Sequence, residues 1–167
     1  MSIHDEQVFK VVEKIQNHYQ GNLNNRYTRK ALLLMKVPRG TWDAIDRLTE
    51  KSDVYKVQGY QYKELYEMIH AAALFVHHAR AEAAPRLKGL LAGGTDTLFS
   101  RQQDVSEKDR ILLQMAIENF PANLNVLAEL IKGLYARTAA LDKEEHPGQK
   151  PIYERMPETK ELPRLLG

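Results

Sequence analysis

Two runs of apolar residues, stepped alternately by three and four positions, limit what this chain can fold into more than any other feature. In the first, Tyr62, Leu65, Ile69, Ala72, Val76, Ala79 and Ala83 follow the order 3-4-3-4-3-4. In the second, Leu124, Leu127, Ile131, Leu134, Thr138 and Leu141 follow 3-4-3-4-3. An α-helix gathers such positions into one stripe, whereas a half-buried strand needs alternation by two. A stripe held on a seven-residue repeat is the seam along which long helices pair. At 1.5 Å rise per residue, a first helix of about 24 residues is a rod of roughly 36 Å. The pattern predicts an all-α chain: an antiparallel helical bundle of two long heptad-patterned helices plus shorter helices, with an extended Pro-rich C-terminal tail.

The shorter helices are read from caps and periodicity. Ser2 with Asp5 three residues on forms a capping box, and Val8, Val12, Ile15 and Tyr19 share one face, predicting a helix over about residues 3–20. Asn24 or Asn25 can cap a second helix with Tyr27, Ala31 and Leu34 on its apolar line, ending near Lys36 because Pro38 disfavours helix at Val37. Thr41 can open a short third, with Trp42, Ile45 and Leu48 inward. Ser52 to Gly59 reads as a connector, and residues 86–104 as a looser segment. Ser106 to Asp109 is another capping box, whose helix takes Ile111, Leu112, Met115 and Ala116 as its core face. Phe120-Pro121 then predicts a break, with Pro121 starting the last long helix. Four of the seven prolines fall within residues 147–167, where apolar periodicity is read as stopping. The expected division is therefore a bundle over 1–142 and an extended tail over 143–167, which can either strap back along the bundle or serve as a binding segment.

With no cysteine, the chain has neither disulfides nor thiolate metal ligands. MSIHDEQVFK carries acids early and no apolar run, so no secretory leader is expected, and no stretch reaches the ~18 apolar residues of a membrane-spanning helix. These features predict a cytoplasmic protein that does not enter the membrane. No phosphate-cradling glycine loop, dinucleotide fingerprint or nucleophile-elbow motif is present.

Three of the six histidines lie in the first heptad helix. His70 and His77 are two turns apart, about 10.5 Å along the axis, whereas nitrogens around one zinc lie within ~3.5 Å of each other. Adjacent His77 and His78 diverge by about 100°. Glu67-x-x-His70 has the spacing used in di-iron bundles, but no second Glu-x-x-His occurs in the chain. The reading is therefore packing or surface, with Glu67 the candidate hydrogen-bond partner of His70. The alternative is a metal site built from Glu67, His70, His78 and Glu82. Glu129-Leu130-Ile131-Lys132-Gly133 resembles the His-x-x-Lys-Gly helix of histidine phosphotransfer domains over five residues. Glu129 stands where the phosphorylated histidine would be, so phosphotransfer is not implied.

Charge is uneven although its net value is only +2. From Lys14 through Trp42 there is no acid, and Arg26, Arg29 and Lys30 share a helix face that Lys36 and Arg39 extend. Asp43, Asp46 and Glu50 on the following helix would repel phosphates, which weighs against nucleic acid. Tyrosines at 55, 60, 62 and 66 lie near this basic stretch in sequence and suit either core-edge packing or a partner surface. The expected function is a non-enzymatic interaction or adaptor protein without a cofactor. Its surface would use Arg26, Arg29, Lys30, Lys36, Arg39, Tyr62 and Tyr66 to bind another protein of acidic character. Association with a second copy is open, because heptad seams pair within or between chains; a metal-dependent bundle and a nucleic-acid binder are the alternatives.

Overall fold

The structure is a computed structural model; it describes residues 3–23, 26, 43, 45–48, 62–86 and 106–167. All regular structure among these residues is helical. Helix α1 (Ile3–His18) passes into a π-helical turn at Tyr19–Leu23. Helix α2 (Tyr62–His78) likewise passes into a π turn at Ala79–Ala83. Helix α3 (Glu107–Glu145) has 39 residues, roughly 58 Å at the α-helical rise. Three short elements end the chain: α4 (Ile152–Arg155), a 3₁₀ turn (Pro157–Glu161) and α5 (Leu162–Leu166).

Helix α3 is the spine. On α1, His18 bonds the Asn123 carbonyl, and Val11 lies 4.0 Å from where a Cβ would stand on Gly133. On α2, Tyr66 meets Asp142 and Arg80 meets Asn125. Rising numbers on either helix thus meet falling numbers on α3, so it runs opposite to both. Val8, Val12, Ile15 and Tyr19 are buried on α1, and Leu65, Ile69, Ala72, Val76 and Ala79 on α2, all in one core. Ile45 and Leu48 join it, as the apolar spacing of the short third helix predicts. Each large aliphatic side chain so buried contributes about 1.5–3 kcal/mol before entropy is counted. Residues 27–42, 49–61 and 87–105, and with them most of the second expected helix and both connectors, lie outside the described residues.

Three expectations are corrected. Ser106 caps α3 as its sequence predicts, its side chain accepting from the Asp109 amide at 3.2 Å. The helix then runs through Pro121 without a break. The buried residues Leu113, Ile117, Phe120, Leu124, Leu127, Ile131, Leu134, Thr138 and Leu141 keep one alternation of four and three across the proline. Pro121 itself is exposed, where the Ile117 carbonyl it leaves without a donor can turn to water. The same register explains the second correction. Ile111, Leu112 and Met115 are exposed, because the face continuous with Leu124 to Leu141 passes through Leu113 and Ile117 instead.

The third correction concerns the tail, which is not extended. Ile152, Met156, Thr159, Leu162, Leu165 and Leu166 are buried at steps of three and four, on the core that α2 and α3 share. Pro157 and Pro163 sit at the first positions of helical turns, where a missing N–H costs no hydrogen bond, so these prolines begin turns. Arg80, in the π turn of α2, pins the far end by donating to the Leu166 carbonyl at 2.9 Å and to Asn125 Oδ1 at 2.7 Å.

A proline inside a helix costs up to about 3 kcal/mol relative to alanine. Pro121→Ala should therefore raise unfolding stability by about 1–3 kcal/mol in urea titrations, with the m-value unchanged. A loss of stability would show that α3 needs its proline.

Candidate functional site

The C-terminal turn of α3 carries a carboxylate into the core. Thr138 and Leu141 lie on the buried stripe, and Asp142 follows them inward, only 3% exposed. A buried charge has to be paired and hydrogen-bonded, and Asp142 is both. Its Oδ2 accepts from Arg155 Nη2 and, at 3.5 Å, from the Tyr66 hydroxyl. Its Oδ1 faces His146 Nδ1 at 3.2 Å. The backbone joins in: the His146 amide donates to the Asp142 carbonyl at 2.8 Å, closing the helix. Arg155 Nε donates to the Lys150 carbonyl at 3.0 Å, which fixes the guanidinium from the tail side.

Tyr66 stacks edge-on against Tyr135, ring centroids 6.0 Å apart. Burial pushes the Tyr66 phenol well above its ordinary value, and the neighbouring Asp142 charge raises it further. Burial also raises the Tyr135 phenol above its ordinary value. Both phenols therefore keep their protons at neutral pH; Tyr66 serves as a donor to Asp142, not as an acid–base group. Beside this cluster opens a cavity of about 370 Å³, walled by Tyr66, Tyr135, Ala139 and Ile152, with Lys143 and Lys150 among its lining residues.

A second surface lies at the other end of α3. Ile111 and Met115 are half exposed, Leu112 and Val126 somewhat less, and Ala122 lies exposed between them. These positions follow a heptad order of their own on the face of the helix turned away from the core. Arg26 reaches this end, its Nη2 4.0 Å from Asp109 Oδ2.

The residues singled out from sequence are dispersed. Arg29, Lys30, Lys36 and Arg39 lie outside the described residues. Tyr62 begins α2, whereas Tyr66 is fully buried; of its two readings, packing is the one its position matches. Glu67 and Glu82 are exposed, and His78 is half-buried beside His77. His70 faces the tail and not Glu67: its Nε2 lies 3.6 Å from Glu161 Oε2, beyond hydrogen-bond distance. Among the described residues, no three histidine, aspartate or glutamate side chains converge to hold a metal ion. Sequence reasoning missed Asp142, His146 and Arg155. One signal was available for the first, an acid adjoining Leu141 on a buried stripe.

No protein-family model, curated protein or solved structure matches this chain.

The Tyr66 shift has a consequence with a definite sign. Unfolded, its phenol ionises near 10.0; folded, it holds the proton to higher pH. Above that value the unfolded state binds fewer protons, so stability that is complete at lower pH is lost as pH rises. Tyr66→Phe should cost about 0.5–1 kcal/mol at neutral pH through the lost hydrogen bond. It should also flatten the fall in Tm between about pH 9 and 11. Asp142→Asn, which leaves Arg155 without its counter-charge, should cost more, about 2–4 kcal/mol by urea titration, less than a fully buried pair because the guanidinium can rehydrate.

Proposed function

We propose that the protein is an antiparallel helical bundle acting in the cytoplasm as a non-enzymatic interaction module, which binds another protein through the outward face of the N-terminal half of α3. The observation that carries this reading is the exposed row of Ile111, Leu112, Met115 and Val126. Scattered surface apolar residues need no explanation, but apolar residues gathered on one helix face, here either side of Glu118 and Asn119, offer a partner helix anchors at steps of three, four and seven. Arg26, Lys108 and Arg110 share this end of the helix with the acids Glu107 and Asp109, so the fitting partner is an amphipathic helix with charges of both signs at its flanks. This keeps Arg26 of the surface expected from sequence and replaces its tyrosines with an aliphatic row. In the same vein, no helix among the described residues is long and apolar enough to cross a membrane.

The test uses the full chain as bait in extract of its native host, with the doubly substituted Ile111→Asp, Met115→Asp protein as control. Both positions are exposed, so the control should keep the circular dichroism and Tm of the parent. The reading predicts a stoichiometric partner that the parent retains and the control loses. Equal capture by both proteins, or none by the parent, contradicts it.

A further inference from the structure

The cavity beside Asp142 plays no part in the adaptor reading and lies at the opposite end of α3. The geometry points to a binding site there for a small carboxylate with an apolar body, an aryl acid or a short branched-chain acid. At about 370 Å³ the space lies within the roughly 300–1,000 Å³ range of small-molecule pockets. Its apolar walls are the Tyr135 ring with Ala139 and Ile152, the Tyr66 ring against Tyr135 being itself fully buried, and they suit an apolar body and give it an aromatic face to lie on.

Charge decides the rest of the ligand. Among the described residues, Asp142 is the only acid lining the space, and it already accepts from Arg155, His146 and Tyr66. Three cations share the lining with it: Lys143, Lys150 and Arg155. Asp142 offsets one of them, so the charge left over is that of two ammonium groups. Arg155 commits Nε to the Lys150 carbonyl and Nη2 to Asp142. A guanidinium has five N–H donors, so others remain for an incoming carboxylate. A cationic ligand would meet these same groups as like charges. The C-terminal end of α3 weighs against an anion, since its carbonyls point this way. Lys143, in that last turn, offsets the effect, and the His146 amide has taken the Asp142 carbonyl.

The ligand would touch α3 on one side and residues 147–155 on the other, so it would tie the tail to the spine. Binding should therefore register as stabilisation that rises with ligand concentration. The experiment uses the full chain and three probes: benzoate, benzamide as its uncharged counterpart, and inorganic phosphate as an anion without an apolar body. Thermal unfolding and titration calorimetry read the outcome. Benzoate should raise Tm and saturate with Kd on the order of 1 mM or tighter, while benzamide and phosphate do neither. Lys143→Glu combined with Lys150→Glu, both at exposed positions, should weaken benzoate by about tenfold or more. Ala139→Phe, which fills the space, should abolish binding; if that variant fails to fold, the lysine pair decides. The inference is overturned if benzoate has no effect, if benzamide or phosphate matches it, or if charge reversal leaves its affinity unchanged.

Discussion

The unbroken apolar stripe of α3, from Leu113 to Leu141, is the constraint on which the other elements depend. Helix α1 docks on it through Val8, Val12 and Ile15, and α2 through Leu65, Ile69, Ala72 and Val76. The tail closes over α2 and the end of the same stripe. A helix that receives several neighbours needs a wide apolar arc, and Ala128 beside Leu127 widens it here. The C-terminal half of α3 is enveloped on several sides. The N-terminal half keeps Ile111, Leu112 and Met115 outward. That asymmetry is the physical basis for placing an interaction surface at one end and an open cavity at the other.

Apolar burial explains that the tail docks; polar pairs explain where. Asp142 cannot stay charged in the core without donors, and Arg155, carried by the tail, is one of them. At the other end Arg80 takes the Leu166 carbonyl, holding α5 in position between α2 and Asn125 of α3. Removing one member of such a pair costs more than the pair itself contributes, because the other is left desolvated. The arrangement therefore favours one docking register over others of similar apolar area.

Much of this was legible in the sequence, because helical periodicity is a local signal. The heptad stripes are buried at Leu65, Ile69, Ala72, Val76 and Ala79 and at Leu124 to Leu141, the Ser106 cap is made as predicted, and the early helix begins within the expected turn. What was misread shares one cause: local chemistry was weighed without the register that packing imposes. Pro121 looks like a start signal by itself, yet the stripe on both sides of it is in phase. The prolines of the tail suggest extension, while Ile152, Met156, Leu162 and Leu165 continue a helical step past them. Ile111 and Met115 have the composition of a core face but lie out of phase with Leu124. Asp142, His146 and Arg155 are brought together by the return of the chain after α3, a long-range event that no spacing rule encodes.

Native-state hydrogen exchange measures the central claim most directly, that α3 and the tail form one cooperative unit across Pro121. The account predicts that slowly exchanging amides at 117–127 and in the tail at Met156, Thr159 and Leu165–Gly167 open with the same free energy as those in the middle of α2, that of global unfolding. Tail amides exchanging at the rate of an unstructured peptide while α2 and α3 stay protected would contradict it, as would a zone of fast exchange dividing α3 at the proline.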